Sequence, residues 1–185
     1  MLQEVSGAGV LLKVNGCLEN CIIRNNYIYG HETHAKINGA GNARISSGAG
    51  VYNYGGKIKN CQIKGNIVKA YTSNHLSVFT LGGGCFMINN GSNKAVMYNT
   101  LIANNELHGI TWDYTDFHTV AIGAGLCLNS GDFYNNTIVD NKAVTAHAPC
   151  TNVMCGGAYL YSSANIYNSI IYDNHAEGGR TDNDA

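Results

Sequence analysis

One spacing recurs along the chain and restricts its fold more than any other feature: an Asn, an Ile three residues later, and a second Asn three residues after that. The copies are Asn20-Ile23-Asn26, Asn60-Ile63-Asn66, Asn99-Ile102-Asn105, Asn135-Ile138-Asn141 and Asn168-Ile171-Asn174. Their first Asn residues lie 40, 39, 36 and 33 residues apart. Upstream of each copy a glycine cluster leads into a short apolar run: Gly7-Ala8-Gly9, Gly48-Ala49-Gly50, Gly82-Gly83-Gly84, Gly123-Ala124-Gly125 and Gly156-Gly157. From the last glycine to the first Asn the distance is 11, 10, 15, 10 and 11 residues, so most remaining variation follows the second Asn. Each repeat is a constant core with a variable loop.

The constant part reads as strand, corner, strand. Val51-Tyr52-Asn53-Tyr54, Leu126-Cys127-Leu128 and Ala158-Tyr159-Leu160-Tyr161 are short apolar and aromatic runs that favour strand over helix. An apolar residue precedes each repeat Ile by five: Leu18, Ile58, Met97, Phe133 and Ile166. Residues five apart face opposite sides of a straight strand, so the chain must bend between them. The first Asn sits in that gap, and Asn tolerates the left-handed backbone a corner requires.

Such a unit cannot bury its apolar side alone. Winding successive units into coils, each strand parallel to its counterpart about 4.8 Å away, turns the Ile residues into one internal column. The expected fold is all-β, a right-handed parallel β-helix of about five coils with a variable loop per coil. A leucine-rich repeat would need a Leu-x-x-Leu-x-Leu pattern with a shorter period, which this chain lacks.

Composition narrows the partners. The 185 residues carry a net charge of -1 with 12% charged side chains, which favours neither nucleic acid nor an anionic membrane. No apolar run is long enough to span a bilayer, and the start at Met1-Leu2-Gln3-Glu4 does not resemble a secretory leader. No polar cap is evident at either end, so residues 1–185 are expected to form a single segment of a longer protein, whose remainder stacks on both ends. The seven cysteines do not form a disulfide framework. Cys21 and Cys61 share one repeat position with Thr100, Asn136 and Ser169, as buried small groups would. Cys150 and Cys155 are near enough in sequence to pair.

The run from Gly48 to Ala70 resembles the right-handed β-helix repeats of bacterial surface and secreted proteins. Gly156-Gly157-Ala158-Tyr159 and Ile171-Tyr172-Asp173-Asn174 are similar to the paired short motifs of polymorphic outer-membrane proteins and related adhesins. The resemblance covers essentially the whole chain and implies the pectin-lyase-like fold at an extracellular or outer-membrane surface. It leaves function open, because the same coil carries polysaccharide lyases, glycoside hydrolases, phage tailspikes and adhesins.

All seven histidines lie outside the repeated core: His31, His34, His75, His108, His118, His147 and His175. Loops from one coil position would jointly build a groove wall carrying His31, Glu32, His34, His75, Trp112, Asp113, Asp116 and His118. The bland alternative is that the core selects Gly, Asn and Ile and leaves His nowhere else. His31-Glu32-Thr33-His34 lacks the helical spacing of a metal motif, and no metal or cofactor is implied. Asp140 and Asp173 share a stacked position with Asn25, Gly65 and Asn104, which marks turn residues rather than a catalytic pair, so no catalytic residue is assigned. Just before the first Asn stand Glu19, Lys59, Tyr98, Tyr134 and Tyr167, expected outside with Glu19 beside Lys59 and the tyrosines in a column. Tyr52, Phe86 and Tyr159, with Tyr54 and Tyr161, would line another outward face. Such columns stabilise a sheet across strands or receive sugar rings.

The reading that best fits is a non-catalytic stalk or adhesive surface that contacts a polysaccharide or cell-surface glycan. Ligand contact is assigned to the third loop, Glu106 to Ile122, through Trp112, Asp113, Tyr114 and His118, because rings suit sugar faces and carboxylates accept from hydroxyls. The alternative is part of a polysaccharide lyase or glycoside hydrolase.

Overall fold

A computed structural model describes residues 3–30, 43–72, 77–111, 119–146 and 151–178. Among these, every regular element is a strand and all strand pairs are parallel. The first sheet stacks β1 (Gln3–Ser6), β6 (Ala43–Ser47), β11 (Ser77–Leu81), β16 (Thr119–Ile122) and β20 (Thr151–Met154). The second contains β2 (Val10–Leu12), β7 (Val51–Tyr54) and β12 (Cys85–Ile88) in one half, and β3 (Cys17–Glu19), β8 (Lys57–Lys59) and β13 (Val96–Tyr98) in the other. Two long strands, β17 (Leu126–Tyr134) and β21 (Ala158–Tyr167), join these halves. The third sheet is β4 (Ile22–Arg24), β9 (Gln62–Lys64), β14 (Leu101–Ala103), β18 (Thr137–Val139) and β22 (Ile170–Tyr172). The fourth is β5 (Tyr27–Gly30), β10 (Ile67–Thr72), β15 (Glu106–Thr111), β19 (Lys142–Ala146) and β23 (His175–Glu177). The chain visits the four sheets in turn and repeats, which is a parallel β-solenoid.

The repeat positions fall in register. Ile23, Ile63, Ile102, Ile138 and Ile171 pair successively across the third sheet. Leu18, Ile58, Met97, Phe133 and Ile166 do the same in the second. The bend between the two columns is made by Asn20, Asn60, Asn99, Asn135 and Asn168, with φ between 45° and 56°. A second left-handed corner is taken by Asn25, Gly65, Asn104, Asp140 and Asp173, so the two aspartates are turn residues as expected.

After that second corner the Asn side chains form a ladder inside the coil. Asn66 Nδ2 donates to Asn105 Oδ1 at 2.9 Å, and Asn105 Nδ2 donates to Asn141 Oδ1 at 2.9 Å. The main-chain N–H groups of Asn66 and Asn105 donate to the same oxygens at 3.0 Å. Each amide also reaches back one coil, Asn105 Nδ2 to the Ile63 carbonyl at 3.0 Å and Asn141 Nδ2 to the Ile102 carbonyl at 3.1 Å.

The glycine corner lies directly against this ladder. A Cβ on Gly84 would sit 2.8 Å from Asn105 Nδ2, and one on Gly125 would sit 2.9 Å from Asn141 Nδ2. The coil is thereby pinched into two lobes. One holds Val51, Met87, Leu126, Met97, Phe133 and the Ile column; the other holds Ile28, Val68, Leu107, Ala121 and Ala143. At the pinch the outward faces of the first and second sheets turn toward each other, and Val120 and Ile122 pack on Phe86 and Cys127 outside the coil.

The five coils expected from the sequence need one correction. The first and last ranks of strands have a neighbour on one side only, so about three turns are enclosed on both sides. In the last rank the inward residues Leu160 and Ile171 are 42% and 45% exposed, whereas Ile102 and Ile138 are fully buried.

Truncating Ile102 to Ala should cost about 2–5 kcal/mol, read from urea denaturation, because the turns on either side cannot collapse fully around the void. Asn105→Ala should cost about 1–3 kcal/mol, since it orphans a buried N–H on Asn66 and removes the side-chain bond to the Ile63 carbonyl. A loss below about 1 kcal/mol would show that the ladder contributes little.

Candidate binding cleft

The two halves of the second sheet are joined differently along the stack. In the last two coils β17 and β21 run straight through, with a register shift between Leu128 and Ser130. In the first three coils the chain turns instead. Asn15 takes φ 64°, and the Gly16 N–H donates to the Lys13 carbonyl at 2.9 Å. In the second coil Asn53, buried, closes the turn by accepting from the Gly56 N–H at 2.8 Å and donating to its carbonyl at 3.1 Å. In the third, Asn90 and Asn93 exchange main-chain bonds at 2.9 and 3.0 Å around Gly91, and Asn89 Oδ1 accepts from the Ala95 N–H at 2.9 Å.

These stacked turns enclose a cleft of about 610 Å³. It is lined by Gly55 and Gly56 together with Lys57 and Lys94, and by the polar residues Asn15, Ser92 and Asn93. None of the residues lining it is acidic. The cleft also sits in the basic part of the chain: nine of the 11 Lys and Arg residues lie at or before Lys94, opposed there only by Glu4, Glu19 and Glu32.

Lys94 is anchored at one side. Its Nζ lies 3.0 Å from Asp132 Oδ2, and Asn165 Nδ2 donates to Asp132 Oδ1 at 3.0 Å. The bond from Lys94 holds the Asp132 carboxyl below its ordinary range, overcoming the opposing effect of burial. The same bond raises Lys94, keeping it an ammonium group. A charged lysine is a donor and a counter-ion, not a base.

The structure separates the other sequence candidates. Trp112, Asp113, Tyr114 and His118 lie outside the described residues, as do His31, Glu32, His34, His75, Asp116, His147 and Cys150. The third loop is shorter than expected, because Glu106–Thr111 is β15 and Thr119–Ile122 is β16. His108 is therefore not a loop residue; it lies in β15 with Nε2 2.6 Å from Glu106 Oε2. Glu19 and Lys59 meet at 2.8 Å as expected.

The tyrosine column exists, but its rings face one another. Tyr98 and Tyr134 stack at 5.3 Å and 11°, and Tyr134 and Tyr167 at 4.8 Å and 9°. Tyr134 is stacked on both faces and Tyr98 and Tyr167 on one each, so the column stabilises the sheet, with Tyr167 still exposed at its end. The second aromatic face is corrected too. Phe86 is buried at the pinch, Cys127 interrupts the series between Phe86 and Tyr159, and Tyr52 and Tyr159 are partly covered. Only Tyr54 and Tyr161 of that group remain exposed.

The cleft had a faint trace in the sequence. The third repeat has 15 residues between its last glycine and first Asn where the others have 10 or 11, and the excess is the turn around Asn90-Gly91. No helix among the described residues is long and apolar enough to cross a membrane. No family model, curated protein or solved structure matches the chain.

Asp132 should give the fold an acid-sensitive component. Its pKa is lower folded than unfolded, so its contribution is complete above the unfolded value near 3.9 and fades as pH falls through it toward the folded value. Urea midpoints measured from about pH 6 down to pH 2 should therefore drop less steeply in Asp132→Asn than in the parent. Parallel curves would show that the Lys94–Asp132 bond is not coupled to folding.

Proposed function

We propose that this β-solenoid is a non-catalytic, glycan-binding segment of a surface or secreted protein, and that the turn cleft receives an acidic group of the glycan. The observation that carries this reading is a cleft lined by two lysines, by Gly55 and Gly56 and by the polar residues Asn15, Ser92 and Asn93, with no acidic residue among its lining. Lysine ammonium groups recognise carboxylate or sulfate as point charges, while Asn and Ser bond sugar hydroxyls in either sense. The excess of Lys and Arg over Asp and Glu in the chain up to Lys94 accords with an anionic ligand.

Lys94 bonds Asp132 at 3.0 Å, and in this reading it serves as a donor and counter-ion rather than as a base. The loop containing Trp112, Asp113, Tyr114 and His118 belongs to this proposal as a second contact, with rings against sugar faces and the carboxylate on hydroxyls. A position at the cell exterior or outer-membrane surface accords with the resemblance of the repeats to adhesins.

Calorimetric titration with polygalacturonate, heparin and neutral dextran tests the reading. The acidic polymers should bind and dextran should not, with affinity falling as salt rises. Lys57→Gln with Lys94→Gln should weaken binding at least about tenfold, on the scale of one or two charge-assisted bonds. Trp112→Ala separately reports the loop. Unchanged affinity in both variants would overturn the proposal.

A further inference from the structure

The residue after each left-handed Asn of the first corner forms a second ladder: Cys21, Cys61, Thr100, Asn136 and Ser169. From the second coil onward each rung is an N–H bonded to a side-chain oxygen one coil later. The Cys61 N–H donates to Thr100 Oγ1 at 3.3 Å, the Thr100 N–H to Asn136 Oδ1 at 2.7 Å, and the Asn136 N–H to Ser169 Oγ at 3.1 Å. Between Cys21 and Cys61 a sulfur stands where the other rungs place an oxygen, and a thiol is a weak acceptor. Two consecutive coils thus share the chemically poorest occupant of this position, directly above one another.

Their backbones are suitably placed. The Gln62 N–H donates to the Cys21 carbonyl at 2.8 Å, and Ile22 is in register with Gln62, so Cys21 and Cys61 are aligned neighbours. Aligned residues of adjacent parallel strands stand about 4.8 Å apart, inside the roughly 4.4–6.8 Å Cα separation that a disulfide spans. Both sulfurs lean the same way, Cys21 Sγ 3.1 Å from the Glu19 carbonyl and Cys61 Sγ 3.1 Å from the Lys59 carbonyl. The Cys61 thiol is raised mainly by burial and has the Cys21 thiol as a neighbour.

We propose that Cys21 and Cys61 are a modification site: a dithiol that a small disulfide oxidant converts to a disulfide, stapling the first coil to the second. Cys21 is partly exposed and Cys61 buried, which sets the order of events. The Cys21 thiolate attacks the oxidant RSSR, forming a mixed disulfide and releasing RS⁻. Cys61 then loses its proton and attacks the Cys21 sulfur, breaking the mixed disulfide and releasing a second RS⁻. The two protein thiols are oxidised, one RSSR is reduced to two RSH, and the two protein protons end on the released thiolates.

Among the described residues, other thiol pairs do not offer this geometry. Cys85 lies in the inner core and Cys127 in the cluster outside the coil, so they occupy opposite faces of adjacent strands. Burial also pushes Cys127 up to about 12, leaving little thiolate. Cys17 and Cys155 are exposed, and Cys155 Sγ bonds the Ala158 carbonyl at 2.9 Å in the last coil.

Folded protein incubated with oxidised glutathione, then alkylated, digested and analysed by mass spectrometry, tests this directly. The expected product is a peptide pair joined through Cys21 and Cys61, lighter by two hydrogens than the free peptides. Cys61→Ser should stop at glutathione on Cys21, because the second attack has no nucleophile. Glutathione persisting on Cys21 in the parent, alkylation of both Cys21 and Cys61 after oxidation, or a Cys21–Cys17 pair would each overturn the proposal. The parent measurement stands even where the serine variant does not fold.

Discussion

The close contact between the asparagine ladder and the glycine corner governs this fold. Asn66, Asn105 and Asn141 bring polar amides into the centre of an otherwise apolar coil, where an unpaired amide would cost about 1–3 kcal/mol. Each amide is bonded to the coil before and the coil after, so no rung is satisfied until its neighbours are in place. The ladder fixes register as well as position: a slip of one residue would separate the Asn side chains and turn the Ile column outward. Glycines opposite the ladder allow the backbone to approach it, and that approach divides the interior into two lobes.

The pinch has consequences outside the coil. By folding the first and second sheets toward one another it covers Phe86, Val120, Ile122 and Cys127, which alternation along the strands would place in solvent. Most remaining outward positions change from coil to coil, and the tyrosine column of the second sheet is the exception. In the tyrosine column the spacing of a parallel sheet brings ring onto ring, which strengthens the sheet and covers both faces of Tyr134. The coils differ most in the turns that line the lysine cleft, which is where we propose that a ligand binds.

The features legible in the sequence were those set by local chemistry and repeated in every coil. Five Ile residues in one column, Asn at the first left-handed corner of every coil, Asp140 and Asp173 as turn residues and the Glu19–Lys59 contact all follow from spacing, alternation and the backbone tolerance of Asn. The cleft was poorly legible because its turns have no common sequence: Asn15-Gly16, Gly55-Gly56 and Asn89 to Ala95 differ in length and composition. Only the longer third repeat hinted at it. His108 was misplaced for a related reason, since a polar residue after the second Asn reads as loop although β15 extends through it.

By itself the sequence determined the repeating unit and its stacking, because a period of buried Ile and cornering Asn has one way to hide its apolar side, in parallel coils. Only the tertiary structure decided which outward residues are outside. Phe86 and Tyr98 occupy outward strand positions by alternation, yet one is buried at the pinch and the other is covered by its stacked neighbour. Alternation specifies the side of a strand on which a residue lies. The angle between sheets and the contact between coils specify what it meets there, and both arise from packing among residues tens of positions apart.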